Sequence, residues 1–278
     1  KYLTSRQIRE RLFTESLHNV ALSVAETEDP DRFEVSGRGE LHLSVLIETM
    51  RREGYELLVS RPKVIERVVD GVRQEPFENV VLDIGIEQQG KVIESLTERR
   101  GELLEIEVGQ GDRVRLTFKV SSRGLMGFRS SFLSLTSGEG LMSFAGAGFG
   151  PRISGDLGSR QNGVLISNTD GKAVGYALFN LQARGRLFVE PGDLIYEGMV
   201  VGLHSRSNDL TVNPAKEKKL TNVRASGSDE AIDLNAPVKM SLEQSLEFID
   251  EDEFVEVTPS AVRIRKKLLK EYERKRVN

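Results

Sequence analysis

The sequence contains no cysteine, which excludes disulfides and thiolate chemistry and suits a reducing compartment. Histidine is scarce. Only His18, His42 and His204 are present, too widely spaced for a metal-ligand cluster. No apolar run approaches the roughly 18 residues needed to cross a bilayer, and the start, "KYLTSRQIRE", has neither a secretory apolar region nor an initiator Met. The expectation is therefore a cytoplasmic protein with no membrane partner, and a piece of a longer chain. No Ser, His and Asp arrangement and no paired-carboxylate site stands out either. What is present is 278 residues, 38% hydrophobic and 29% charged, with net charge −4, enough for two or three soluble domains with real cores.

Periodicity orders these domains. "TSRQIRERLFTESL" sets Thr4 and Gln7 at capping-box spacing and Ile8, Leu12, Phe13 and Leu17 near one side, which predicts a helix. "NVALSVAET" and "RFEVS" alternate across the turn "EDPD" as a hairpin. "ELHLSVLIETMRREG" is helical and "YELLVS" is a strand, giving the order α-β-β-α-β. From about Pro62, "NVVLDIGI" alternates Val80, Leu82, Ile84 and Ile86, "KVIESLTERRG" is helical, and "ELLEIEV" and "RVRLTFKV" are strands. Leu125, Phe128, Phe132 and Leu135 fall at helical spacing, and "LMSFAG" closes the unit as a strand. This β-α-β-β-α-β order is the split βαβ of ferredoxin-like domains. Beside it the first unit lacks only its opening strand, so the chain is expected to begin inside or just before that domain. Eight glycines between Gly138 and Gly163 predict a linker or loop-rich boundary. Beyond it come strands at "GVLIS" and "IYEGMVVGLHS", a helix "SLEQSLEFI" with Ser241 and Gln244 as a capping box, and a short strand leading into a basic helix or tail. The fold class read from this is α+β: two ferredoxin-like βαββαβ domains, the first without its opening strand, then a β-rich C-terminal domain with a helix and basic tail. The boundaries are 1–62, 63–148 and 149–278.

Two strings look like phosphate sites and are weighed accordingly. "GIEQQGKV", Gly85 to Val92, follows a P-loop for seven positions, then places Val92 where a hydroxyl must ligate Mg²⁺; it reads as a strand-to-helix turn. "RGLMGFRS", Arg123 to Ser130, joins Gly124 and Gly127 to Arg123 and Arg129 near a helix start. It is similar to the phosphate cradle of acylphosphatases, but there the cradle follows the first strand, whereas here it precedes the second helix. Contact with a phosphate backbone and a plain turn both stay open for it. His42, between Leu41 and Leu43, reads as packing or a cap.

Charge is unevenly placed. Seven acids and no base lie from Glu243 to Glu256, whereas Arg263 to Arg276 holds eight bases against Glu271 and Glu273, so the blocks either pair or face different partners. In "VNPAKEKKLTNVRAS" the nine residues from Lys216 to Arg224 hold Lys216, Lys218, Lys219 and Arg224 against one acid, Glu217, with no apolar period. A solvated loop is the bland reading. The functional one is contact with RNA phosphates, supported by Arg206, Asn208 and Asn213 just upstream.

"GRGELHLSVLIETMRREGYELLVSRPKV", residues 37 to 64, resembles the third domain of elongation-factor-G-like translational GTPases, and the unit carrying "SSRGLMGFRSSFLSLTSGEG" resembles their fifth. "RQNGVLISNTDGKAVGYALFNLQARGRLFVEPGDLIYEGMVVGLHSRSNDLTVN" and "KKLTNVRASGSDEA" resemble the C-terminal domain peculiar to the BipA/TypA GTPases. The resemblance spans essentially the whole chain. It implies a cytoplasmic parent that binds GTP and Mg in a domain preceding these, binds the ribosome, and acts in ribosome biogenesis or stress-linked translation. For this chain it implies no catalytic residue, no cofactor and a monomer. Partners implied are large-subunit rRNA and the tRNA acceptor end, met by Lys216, Lys218, Lys219, Asn222 and Arg224, with Arg123, Gly124 and Arg129 facing large-subunit RNA. A ligand-sensing module built on paired ferredoxin-like domains is the competing reading.

Overall fold

In the computed structural model, which describes residues 4–109, 111–155, 157, 160–217 and 233–277, the first helix begins where the capping-box spacing places it. Thr4 accepts from the Gln7 amide while the Gln7 side chain returns to Thr4, opening α1 (Ser5–His18). The hairpin β1 (Ser23–Glu26) and β2 (Phe33–Ser36) pairs antiparallel from Ser23–Ser36 to Glu26–Phe33. Helix α2 (Glu40–Glu53) ends at Gly54, whose left-handed φ of 101° suits a residue without Cβ. Leu12, Leu22, Leu46 and Met50 bury between these elements, backed by Ile8, Val24 and Phe33. The element order is as expected, but β3 (Leu57–Ser60) does not join β1 and β2. It pairs with Glu253–Val257 near the other end of the chain. Alternation shows that a segment is a strand; which partner it takes is decided by tertiary packing.

Pro62–Ser159 forms one unit, inserted in sequence into another made of Lys1–Arg61 with Arg160–Asn278. In the inserted unit β4 (Arg67–Val69) turns back at Asp70 and Gly71, both at positive φ, the conformation a tight two-residue hairpin needs. It folds onto β5 (Val72–Gly85), followed by α3 (Gln89–Glu98), β6 (Glu102–Val108), β7 (Arg113–Ser121), α4 (Ser122–Leu125), α5 (Phe128–Leu135) and β8 (Leu141–Pro151). Strand β5 lies between β7 and β8, with β6 outside β7, and every neighbouring pair is antiparallel. One face supplies Val80, Leu82, Ile84, Val114, Leu116, Phe118 and Val120 to a core closed by Val92, Leu96, Phe128 and Phe132. Fully burying each such side chain is worth about 1.5–3 kcal/mol.

Three details differ from the sequence reading. Ile86 leaves the strand alternation for a 3₁₀ turn at Ile86–Gln88 and is exposed. The helical spacing of Leu125 to Leu135 is broken at Gly127, φ 67°, so two helices share it. Strand β8 runs through much of the glycine-rich stretch. Gly150 has a structural use there, since a Cβ would stand 2.9 Å from the Phe77 ring; close approach, not looseness, explains that glycine.

The remaining elements are β9 (Val164–Ser167), β10 (Gly171–Lys172), α6 (Gly175–Leu181), β11 (Gly185–Leu187), β12 (Leu194–Ile195), β13 (Val200–His204), β14 (Leu210–Val212), α7 (Leu242–Phe248), β15 (Glu253–Val257), β16 (Val262–Lys266) and α8 (Glu271–Val277). A four-stranded sheet runs β11-β13-β9-β14, with β14 parallel to β9, and a second runs β16-β15-β3. Strand β9 is buried on both faces: Leu165 packs with Leu178 and Val201, Val164 and Ile166 with Leu246, Val255 and Ile264. That is why "VLIS" is a continuous apolar run rather than an alternating one. The predicted Ser241–Gln244 capping box opens α7. Among the described residues the fold is mixed α/β with several sheets and eight α-helices, and no helix is long and apolar enough to cross a membrane.

Candidate nucleic-acid interface

Arg206 stands on the loop between β13 and β14, and that loop is built to be rigid. The Gly163 amide donates to Arg206 O at 2.8 Å, His204 N to Gly163 O at 2.8 Å and Ser205 N to Arg184 O at 2.9 Å. The Asp209 carboxylate accepts from Val164 N at 2.8 Å and is held by Lys266 at 2.6 Å. His204 is buried, with Nδ1 2.6 Å from Asn208 O. Glycine is required twice here. A Cβ on Gly163 would fall 2.2 Å from the Asn208 carbonyl group, and one on Gly185 1.8 Å from Leu203 O. These approaches bring Arg184 beside the loop. Arg184 and Arg206 are exposed, and among the described residues neither guanidinium has a carboxylate partner.

The basic loop departs from an equally anchored point. Val174 N donates to Pro214 O and Asn168 N to Val212 O, each at 2.9 Å, while the Asn213 side chain accepts from Ala215 N at 3.0 Å. Lys216 follows, exposed. Lys218, Lys219, Asn222 and Arg224 lie outside the described residues.

In the inserted unit the three expected contacts have different surroundings. Arg123 is turned inward. Its Nε and Nη2 donate to the fully buried Glu75, at 2.9 and 3.3 Å, and it also donates to Ile153 O and Gly155 O. The Ile153 amide completes Glu75 at 2.8 Å. The Arg123 charge is thus matched by a carboxylate and its donors serve to tie down the chain after β8. Gly124 is buried, where a Cβ would meet Arg99 O at 2.9 Å, and Arg99 itself bonds the Gly124 and Met126 carbonyls. Arg129 alone of the three is exposed. At the P-loop-like string, Val92 is part of the core and the Gly85 amide is taken by Gln88, so neither faces a phosphate.

The acidic and basic blocks of the C-terminal region pair in part. Lys266, 2% exposed, meets Asp209, Asp252 and Glu253 at 2.6–2.9 Å. Burial works against its charge, but these three acids outweigh it and hold the ammonium above its usual range. Glu253 also takes both terminal nitrogens of Arg160. Burial opposes its ionisation, yet Arg160 and Lys266 pull its carboxyl below the usual range. Arg61 and Arg160, the two residues flanking the insertion, both reach Asp250, at 3.6 and 3.2 Å. This cluster was not foreseen from sequence; its only signal was the two oppositely charged blocks.

Comparison with known proteins identifies these surroundings. Residues 162–271 match the family model of the TypA/BipA C-terminal domain, and residues 72–153 that of the elongation factor G C-terminus. The chain is 59% identical, over its whole length, to the large ribosomal subunit assembly factor BipA of Haemophilus influenzae. The chain carries the TypA/BipA C-terminal domain. It is similarly 60% identical to the protein of that name from Salmonella typhimurium and 56% to that of Buchnera aphidicola subsp. Schizaphis graminum. All 278 residues take part, covering 45–46% of each relative, so the chain spans less than half the length of these proteins. In TypA/BipA terms, β9 to β16 with the Arg206 loop fall in the family's own C-terminal domain, and Arg123, Gly124 and Arg129 in the part shared with elongation factor G.

Proposed function

We propose that this chain belongs to the TypA/BipA family and is the ribosome-binding portion of a translational GTPase that serves large-subunit assembly, meeting ribosomal RNA and the tRNA acceptor end through its basic loop and the Arg206 loop. The observation that carries the reading is a rigid loop presenting Arg206 beside Arg184, neither with a carboxylate partner among the described residues, one short strand ahead of the anchored start of a lysine-rich segment, in a chain whose relatives are named as large-subunit assembly factors. Cations held without acid partners have only solvent and counterions to release, which is the condition for binding a polyphosphate. Those relatives favour this reading over a ligand-sensing module. Within it, GTP and Mg belong to the longer protein, this chain carries no catalytic residue, and it acts as a cytoplasmic monomer.

The inserted unit we read as ferredoxin-like, from its β8-β5-β7-β6 order with α3 and α5 on one face. The run from α1 to β3 we read as the same fold without its opening strand, whose place in that order lies between β2 and β3, the two strands that here fall in different sheets. Of the expected contacts in the inserted unit, Arg129 is the one suited to large-subunit RNA; Arg123 and Gly124 contribute by holding the backbone. The test is co-sedimentation of the chain with purified large ribosomal subunits at increasing salt. Saturable binding that weakens steeply with salt is expected, and failure to sediment at 50 mM salt would sink the proposal.

A further inference from the structure

A recess of about 420 Å³ opens between the end of α6 and the β13–β14 loop, lined by Asn180, Arg184, His204, Arg206, Asn208 and Leu210, among others. Three features set it apart from an ordinary surface dip. Two guanidinium groups, neither with a carboxylate partner among the described residues, stand at it. The one carboxylate of the loop, Asp209, is engaged by Lys266 and the Val164 amide. And His204, 5% exposed, is fixed as to tautomer: a carbonyl oxygen only accepts, so the 2.6 Å contact with Asn208 O places the proton on Nδ1 and leaves Nε2 an acceptor in the neutral ring.

The geometry points to this recess as a site for one unstacked nucleotide of single-stranded RNA. Arg184 and Arg206 take the phosphodiester, a task for which planar guanidinium forks are better shaped than lysine ammonium groups. Leu210 gives the sugar an apolar contact, and His204 Nε2 accepts from a 2′-hydroxyl, the group that separates RNA from DNA. Asn180 and Asn208 also line the recess, and although each side-chain amide already donates one hydrogen, to Tyr176 O and Asp209 O, its oxygen and its second N–H are left to read a base. The rigidity of the loop means that little order has to be imposed on binding.

This rests on the RNA-binding reading above but goes beyond it, because a ribosome-binding surface needs no single-nucleotide site. The experiment measures anisotropy of a fluorescein-labelled single-stranded RNA tetranucleotide with the whole chain, its deoxy counterpart, and inorganic phosphate as competitor. Arg184→Ala/Arg206→Ala should bind the RNA about tenfold or more weakly, with the salt slope reduced by about 0.7 for the one phosphate no longer neutralised on a single strand. Lys91→Ala/Lys172→Ala, which removes the same charge elsewhere, should bind as the unaltered chain does, and an unchanged melting curve shows that the exposed arginine variant is folded. Wild-type affinity in the arginine variant, equal affinity for the deoxy strand, displacement by phosphate at equal concentration, or no RNA binding by the unaltered chain would each overturn the assignment. The same proteins in the co-sedimentation assay separate the two ideas: ribosome binding that survives with an inert recess removes only the recess, whereas arginine-dependent RNA binding without ribosome binding removes the ribosome reading and keeps the recess.

Discussion

Glu40, in the first turn of α2, shows how one residue ties stability to pH. Its Oε1 is shut from solvent without a hydrogen-bond partner among the described residues. Burial, then the nearby Glu247 and Glu243 carboxylates, push its pKa from 4.5 up to about 7, with Arg61 opposing. Because the native value lies above the unfolded one, the folded chain keeps a proton that the unfolded chain has already lost between these two pH values. The stability this contributes is complete below about pH 4.5, declines as pH rises, and is gone above about pH 7. Glu40→Gln should therefore flatten the stability profile over this window and raise stability at pH 8 by about 1–3 kcal/mol, read from urea unfolding at a series of pH values. A slope unchanged by the substitution would mean that Glu40 does not titrate in that window. Glu253 is the opposite case. It is fully buried between Arg160 and Lys266, and removing it leaves two cations with less than their share of negative charge. Glu253→Gln should cost about 3–5 kcal/mol, and Glu253→Gln with Lys266→Met should recover part of that loss, since a neutral packed pair spares the desolvation of both charges.

At the scale of elements, local stability follows how many sides of a strand are covered. Strands β1 and β2 form a two-stranded sheet whose residues, from Ser23 to Glu26, are largely exposed, whereas β7 is paired on both edges and carries Val114, Leu116, Phe118 and Val120 in the core. Hydrogen exchange should accordingly be faster at the β1 amides than at the β7 amides by orders of magnitude; equal protection would show that β1 gains cover that this fold does not give it. Sequence reasoning found both of these strands, and it found α1, α2 and α7 to within a residue or two, because periodicity and capping boxes are local signals. It did not find that β3 belongs with β15, since nothing within Leu57–Ser60 distinguishes one sheet partner from another. The candidate site was legible in the same uneven way. Unpaired positive charge near Arg206 and Lys216 is visible as composition, but Arg184 becomes its neighbour only because Gly185 and Gly163 let backbones close to within contact. Arg123 misled for the converse reason: its partner Glu75 lies 48 residues away along the chain.

At the scale of the whole molecule, the question is which positive charge is free to meet RNA when the chain as a whole carries −4. The basic tail has more of it than the loop, eight bases from Arg263 to Arg276, but the tail is largely committed. Arg263 pairs with Glu256, Lys266 with Asp209, Asp252 and Glu253, Lys270 with Glu197 and Lys275 with Glu271, while Arg265 and Lys267 lie over the Phe254 ring. A cation already paired releases fewer counterions when it meets a phosphate, so it adds less to the salt dependence of binding than a solvated one. On the proposed ribosome-binding reading, the basic loop should therefore dominate the electrostatic contact despite its smaller charge. If Lys216, Lys218, Lys219 and Arg224 each neutralise one phosphate, they contribute a slope of about −3 to −4 in log affinity against log salt, and moving from 50 to 200 mM salt weakens binding roughly 50- to 150-fold through them alone. Replacing all four with Ala should flatten the slope by that amount. Replacing Arg263, Lys270 and Lys275, each already paired with a carboxylate, should change it by less than one. Both variants are compared by co-sedimentation with large subunits across that salt range. A tail variant that loses binding beside a loop variant that keeps wild-type affinity and slope would reverse the assignment and make the tail the electrostatic contact.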